Sequence, residues 1–147
     1  MGCAAHTLQL AVMDGIKNSR AETVIGRARN VVKEARTRWG KSSEGGPRKS
    51  WYWTWTRGGV YIYLMLDRLI ELKNTIEEMA DCGNQELSMN QAQWQQTFDL
   101  RDLLQRAYEM TQKLQYSNCS PGYLYRKWSL LRLFYENQGS LLAEEIA

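Results

Sequence analysis

Apolar residues recur every three or four positions along most of this chain, a period that belongs to helices. Leu8, Ala11, Val12 and Ile16 share one face of a predicted helix over residues 4–17. Val24, Ala28, Val31, Val32 and Ala35 stripe a second over 21–36, surrounded by Arg20, Arg27, Arg29, Lys33 and Arg36. Ile62, Met65, Leu66, Leu69, Leu72, Ile76 and Met79 predict one helix over 61–79. It should close before Cys82-Gly83-Asn84, where Gly83 can take the left-handed cap conformation. The longest predicted helix covers 89–116, with Trp94, Phe98, Leu103, Leu104, Ala107, Tyr108 and Leu114 on its buried side. Ser88 and Gln91 read as an S-x-x-Q capping box at its start. Ser120 as N-cap and Pro121 at the first helical position open a last helix to about Tyr135. Leu124, Trp128, Leu131 and Phe134 are its stripe, and Asn137-Gln138-Gly139 halts it. Residues 140–147 begin a further helical turn.

Two stretches break the pattern. Residues 41–50 pair Gly45-Gly46 with Pro47 and contain nothing to bury, so they read as a loop. Trp51, Trp53 and Trp55 then alternate, which is a strand-like pattern. Three readings stay open there: a short extended segment packed on helices, a poorly packed stretch, or a platform on which bases stack. The expectation is an all-α fold of about five helices with an irregular segment at about 40–60. That gives three parts: a basic helical segment (1–39), a Trp-rich linker (40–60) and a helical region (61–147).

With 147 residues, of which 44% are hydrophobic, one domain with a packed core is expected. Charge is uneven: residues 1–50 carry ten Lys/Arg against four Asp/Glu, and residues 51–147 carry nine against twelve. A basic half can contact phosphate by attraction and counterion release. The candidate nucleic-acid residues are Arg27, Arg29, Lys33, Arg36, Arg38, Arg48, Lys49 and Arg57. The plain alternative is a solvated helix face with a charge bias. The net charge of +3 is far below that of a dedicated nucleic-acid-binding domain.

Cys3, Cys82 and Cys119 are odd in number and widely spaced, so reduced thiols are expected rather than a disulfide framework. Met1 leads into a run broken by His6, Gln9 and Asp14, so no secretory leader is expected, and no apolar stretch is long enough to span a bilayer. Position 6 is His6, where a myristoylation pattern would need Ser or Thr. Cys3 and His6 stand at i and i+3 and could share a metal. A structural zinc site needs four ligands, and only Cys82 and Cys119 remain as soft candidates, so packing is the simpler role. Glu77-Glu78 and Glu144-Glu145 are adjacent pairs that diverge around a helix axis. Gly45-Gly46 lacks the strand before it and the Lys-Ser/Thr after it that a phosphate loop needs. No metal, cofactor or small-molecule substrate is expected.

Four segments together carry a family resemblance. Cys3-Ala-Ala-His6-Thr-Leu-Gln-Leu10 resembles the C-x-x-H-x-L-x-L segment in the RNase H-like core of hAT transposases and their BED-finger relatives. Tyr63 to Leu72 is similar to that family's Y-x-M-L-x-R-L-x-E-L helix. Gln93-Trp94, with Leu100 and Leu103-Leu104, is similar to its W-x-x-x-x-D-L-x-x-L-L helix, and Tyr108-Glu109-Met110-Thr111 falls where the family has A-T-x-x-L. The resemblance implies a remnant of an RNase H-like core helix joined to the family's helical insertion. Cys3, His6 and Trp94 are the motif residues it marks as structural.

The departures set the functional expectation. The family's two catalytic aspartates precede the C-x-x-H segment, and its catalytic glutamate follows the insertion. Neither place is expected within these residues, and Asp14, Asp67 and Glu71 do not match those roles. The family's T-R-W-N-S segment is replaced near its expected place by Thr56-Arg57-Gly58-Gly59-Val60, without the tryptophan; Thr37-Arg38-Trp39 matches locally but too far upstream. The BED finger and the dimerisation segment have no counterpart here. The resemblance therefore implies a non-catalytic, transposase-derived nuclear protein, or a cytoplasmic one if the resemblance is set aside. Its expected partner is DNA, held weakly through residues 20–57. The alternatives are an interaction module that meets a related protein or itself, and a relic without a selected role. Parted from its parent core, the face of helix 4–17 would be expected to stand uncovered.

Overall fold

The computed structural model describes residues 4–42, 59–115 and 120–138. The fold is all-α: among the described residues there are six α-helices, one short 3-10 turn and no strand. In chain order the helices are α1 (Ala4–Lys17), α2 (Ala21–Ser42), α3 (Gly59–Glu71), α4 (Lys73–Asp81), α5 (Gln91–Gln115) and α6 (Pro121–Asn137), with the 3-10 turn at Gln85–Leu87. The Trp51–Trp55 run, most of the irregular segment and the turn expected over 140–147 lie outside the described residues.

The centre of the fold is α5. Its 25 residues make a rod of about 37 Å, against which α3, α1, α2 and α6 all pack. Leu100, Leu103, Leu104 and Ala107 of α5 are buried in one cluster with Leu8, Val12 and Ile16 of α1, Val31 and Ala35 of α2, and Leu66 and Leu69 of α3. The face of α1, which the sequence leads one to expect uncovered, is instead buried, because α5 and α3 lie over it. Two threonines sit inside α5 at no polar cost: Thr97 donates to the Gln93 carbonyl and Thr111 to the Ala107 carbonyl, each at 2.8 Å.

The turn from α1 to α2 is organised by Ser19. Its hydroxyl donates to the Ile16 carbonyl at 2.9 Å and accepts the Ala21 amide at 3.2 Å, closing one helix and opening the next. Glu22 adds a favourable charge to the first turn of α2. α2 runs on to Ser42, six residues past the predicted end at 36. The apolar stripe ends at Ala35, and Trp39 is the one large apolar residue beyond it in α2, too little to leave a periodic mark.

The helix predicted over 61–79 is two. The break is local to Leu72, which has φ −92° and ψ 7°. The Leu72 amide still reaches the Arg68 carbonyl at 3.2 Å, and the Ile76 amide reaches the Leu72 carbonyl at 2.9 Å. Because hydrogen bonding continues across the bend, the apolar period runs through it, and no Gly or Pro marks it. α4 ends as expected at Gly83, which has φ +98°.

The start of α5 also corrects the sequence reading. Asn90, not Ser88, is the capping residue. The Gln93 amide donates to Asn90 Oδ1 at 2.8 Å, and the Asn90 amide donates to Gln93 Oε1 at 2.9 Å. The box is displaced by two residues because the 3-10 turn at Gln85–Leu87 uses the chain up to Ser88, whose amide bonds to the Gln85 carbonyl at 3.0 Å. At α6 the prediction holds: the Ser120 hydroxyl accepts the Tyr123 amide at 3.3 Å, and Pro121 opens the helix.

Candidate interaction surface

The basic residues of α2 divide into two groups. Arg27 and Arg38 lie on the side that meets the chain between α4 and α5. Arg27 Nη2 donates to the Ser88 carbonyl, and Arg38 Nη1 donates to Asn84 Oδ1. Arg38 also stands 3.8 Å from Glu34 and 3.6 Å from Glu86. Asn84 completes the clamp, because its Nδ2 donates to the Met79 carbonyl at 2.9 Å. Arg29, Lys33 and Arg36 are exposed, and their i, i+4, i+7 spacing sets them on one side of the helix. Arg48, Lys49 and Arg57 lie outside the described residues.

The motif residues are scattered. His6 is exposed on α1, Cys82 is exposed after α4, and Cys3 and Cys119 lie outside the described residues. Trp94 is buried, with Lys73 Nζ 5.5 Å from its ring centre. Among the described residues its indole N–H has no acceptor, and the side chain packs as an apolar body. Asp67 is paired with Arg101 at 3.4 Å, and Glu71 with Arg68. Tyr63 stacks on Tyr108 with ring centres 4.5 Å apart beside that first pair, and burial, then the Asp67 charge, raises its hydroxyl above the usual tyrosine range.

A surface that the sequence reading did not single out lies between α5 and α6. Met110 and Leu114 of α5 and Leu130, Leu131 and Phe134 of α6 form an apolar groove. Arg106, Lys113 and Lys127 stand along it, with Glu109 as the one carboxylate in its wall among the described residues. The Glu109 carboxylate accepts from Gln105 Nε2 at 3.0 Å. Arg106 lies over the Phe134 ring at 5.1 Å and Lys127 over the Tyr123 ring at 5.3 Å. Leu130 and Leu133 are each 52% exposed. The groove encloses about 180 Å³, below the roughly 300 Å³ at which small-molecule sites begin. It has room for one or two side chains of a larger partner. The signal in the sequence was an excess: α6 carries Tyr123, Tyr125, Leu130 and Leu133 beyond its stripe, more apolar surface than one buried face requires.

In comparison with known proteins, no family model, no curated protein and no solved structure matches this chain.

Proposed function

We propose that this chain is a non-catalytic helical interaction module, derived from an hAT-type transposase as its four sequence segments suggest, and that the α5–α6 groove is its working surface. One observation carries the reading: a half-exposed leucine, Leu130, in the wall of a preformed apolar groove. Exposed apolar surface next to a concavity is what a partner's side chains fill. The test is selection from an unbiased displayed-peptide library, followed by binding to Leu130→Asp. Selected peptides should lose binding to this variant while circular dichroism stays unchanged. Peptides indifferent to the substitution would rule the groove out.

A second reading keeps DNA as a partner, through Arg29, Lys33 and Arg36 on the exposed side of α2. Its test is anisotropy with a labelled duplex over a range of salt. A phosphate contact weakens as salt rises, and replacing all three by Ala should lower the slope of log K against log salt by up to about 3. A slope unchanged by the triple substitution counts against that reading. Nuclear residence follows from the resemblance and belongs to the same proposal.

A further inference from the structure

The second half of the chain is acidic in total, with nine Lys/Arg against twelve Asp/Glu over residues 51–147. The groove runs against that balance, with three cations and a single carboxylate along its walls among the described residues. Among the described residues, no carboxylate comes within ion-pair distance of Arg106 or Lys127, and each rests across an aromatic ring. Other cations of the same helices do have carboxylate partners: Arg101 bonds Asp102 at 3.1 Å, and Arg132 bonds Glu136 at 2.8 Å.

We infer that the groove takes an acidic amphipathic helix, whose apolar residues seat on Met110, Leu114, Leu130 and Phe134 while its flanking carboxylates meet Arg106 and Lys127. The inference deepens the interaction-module reading and rests on it. A helix presents anchors at i, i+3 or i+4, and i+7; one or two of them fill the trough between α5 and α6, and the others rest on its rim at Leu130. The aromatic rings hold the two cations in place at the groove's edge, so little side-chain freedom is lost when a carboxylate arrives. Charge on the walls then sets the preference among apolar helices, because a basic partner would meet like charge.

The test uses the full chain and three fluorescein-labelled, lactam-bridged helical peptides. All carry leucine at i, i+3, i+4 and i+7; the flanking positions are Glu in one, Gln in the second and Lys in the third. The Glu peptide should bind about tenfold or more tighter than the Lys peptide at low salt, and the gap should shrink as salt rises. Arg106→Glu with Lys127→Glu should invert the order, and both sites are on the surface, so circular dichroism should not change. Equal binding of all three peptides overturns the acidic preference and leaves the interaction module standing. No binding by any of them counts against the groove itself. Self-association abolished by Arg106→Glu, or binding only after removal of residues 139–147, would give the groove to a second copy or to the chain's own end, and would overturn the inference. Displacement of the Glu peptide by a single-stranded oligonucleotide, lost in the same double variant, would do so as well.

Discussion

The Tyr135 hydroxyl donates to the Leu103 backbone carbonyl at 3.0 Å and so fastens α6 to α5 from within the core. Tyr135 is buried, and Leu131 is buried beside it one turn earlier on the same helix. This bond fixes the angle at which the remaining face of α6 stands over α5, and therefore the shape of the groove.

Tyr135→Phe should cost about 0.5–1.5 kcal/mol in urea unfolding, because the Leu103 carbonyl still has its place in the α5 ladder. The pH dependence is the sharper readout. Burial holds the Tyr135 proton above the ordinary value of 10.0. Above pH of about 10 the unfolded chain releases that proton while the folded chain keeps it. The folded state then binds more protons, and stability falls as pH rises. The contribution is intact below pH 10 and erodes above it. The native chain should lose up to about 1.4 kcal/mol per pH unit more than Tyr135→Phe in that range. Equal slopes would mean that the hydroxyl is not held protonated.

Asn90→Ala should cost about 1 kcal/mol, the worth of an N-cap side chain. Ser88→Ala should be near neutral, because the contact made by Ser88 to Arg27 is through its backbone carbonyl. Thermal melts of the two variants decide between the caps. A larger loss at Ser88 would return the box to the position read from sequence.

Those two residues show where sequence reasoning stops. Ser-x-x-Gln at 88 and Asn-x-x-Gln at 90 are both acceptable boxes, and only the preceding 3-10 turn, a three-residue element with no periodicity, decides between them. The core was more legible. Leu8, Val31, Leu66, Leu69 and Leu104 recur at helical spacing, and all are buried. Ser120-Pro121 and Gly83 marked their helix ends because backbone geometry restricts which residues fit there. The bend at Leu72 was illegible, since it disturbs one residue's ψ and leaves the apolar rhythm intact. The basic residues were legible as a group but not in their division. Whether Arg38 faces solvent or Asn84 depends on a contact 46 residues away.

That division carries its own expectation. Arg38→Ala should destabilise the chain by about 1 kcal/mol, as expected for a partly exposed charged hydrogen bond, and should speed amide exchange across residues 82–90. Arg29→Ala and Lys33→Ala, at exposed positions on the other side of α2, should each stay within about 0.5 kcal/mol of the native chain. Equal losses at all three sites would show that the clamp on Asn84 contributes nothing particular.

A core substitution gives the scale. Leu66→Ala removes a fully buried side chain and should cost about 2–5 kcal/mol, enough to consume a large part of a small domain's stability. A loss below 1 kcal/mol would contradict the packing of α3 on α5.

The most direct measurement is an amide ¹H–¹⁵N titration of the full chain with the Glu-flanked peptide, repeated with a duplex DNA. Shift changes with the peptide should concentrate at residues 106–114 and 123–134 and saturate, while the face of Arg29, Lys33 and Arg36 stays still. Changes confined to that α2 face, or no change across α5 and α6 at millimolar peptide, would contradict the account.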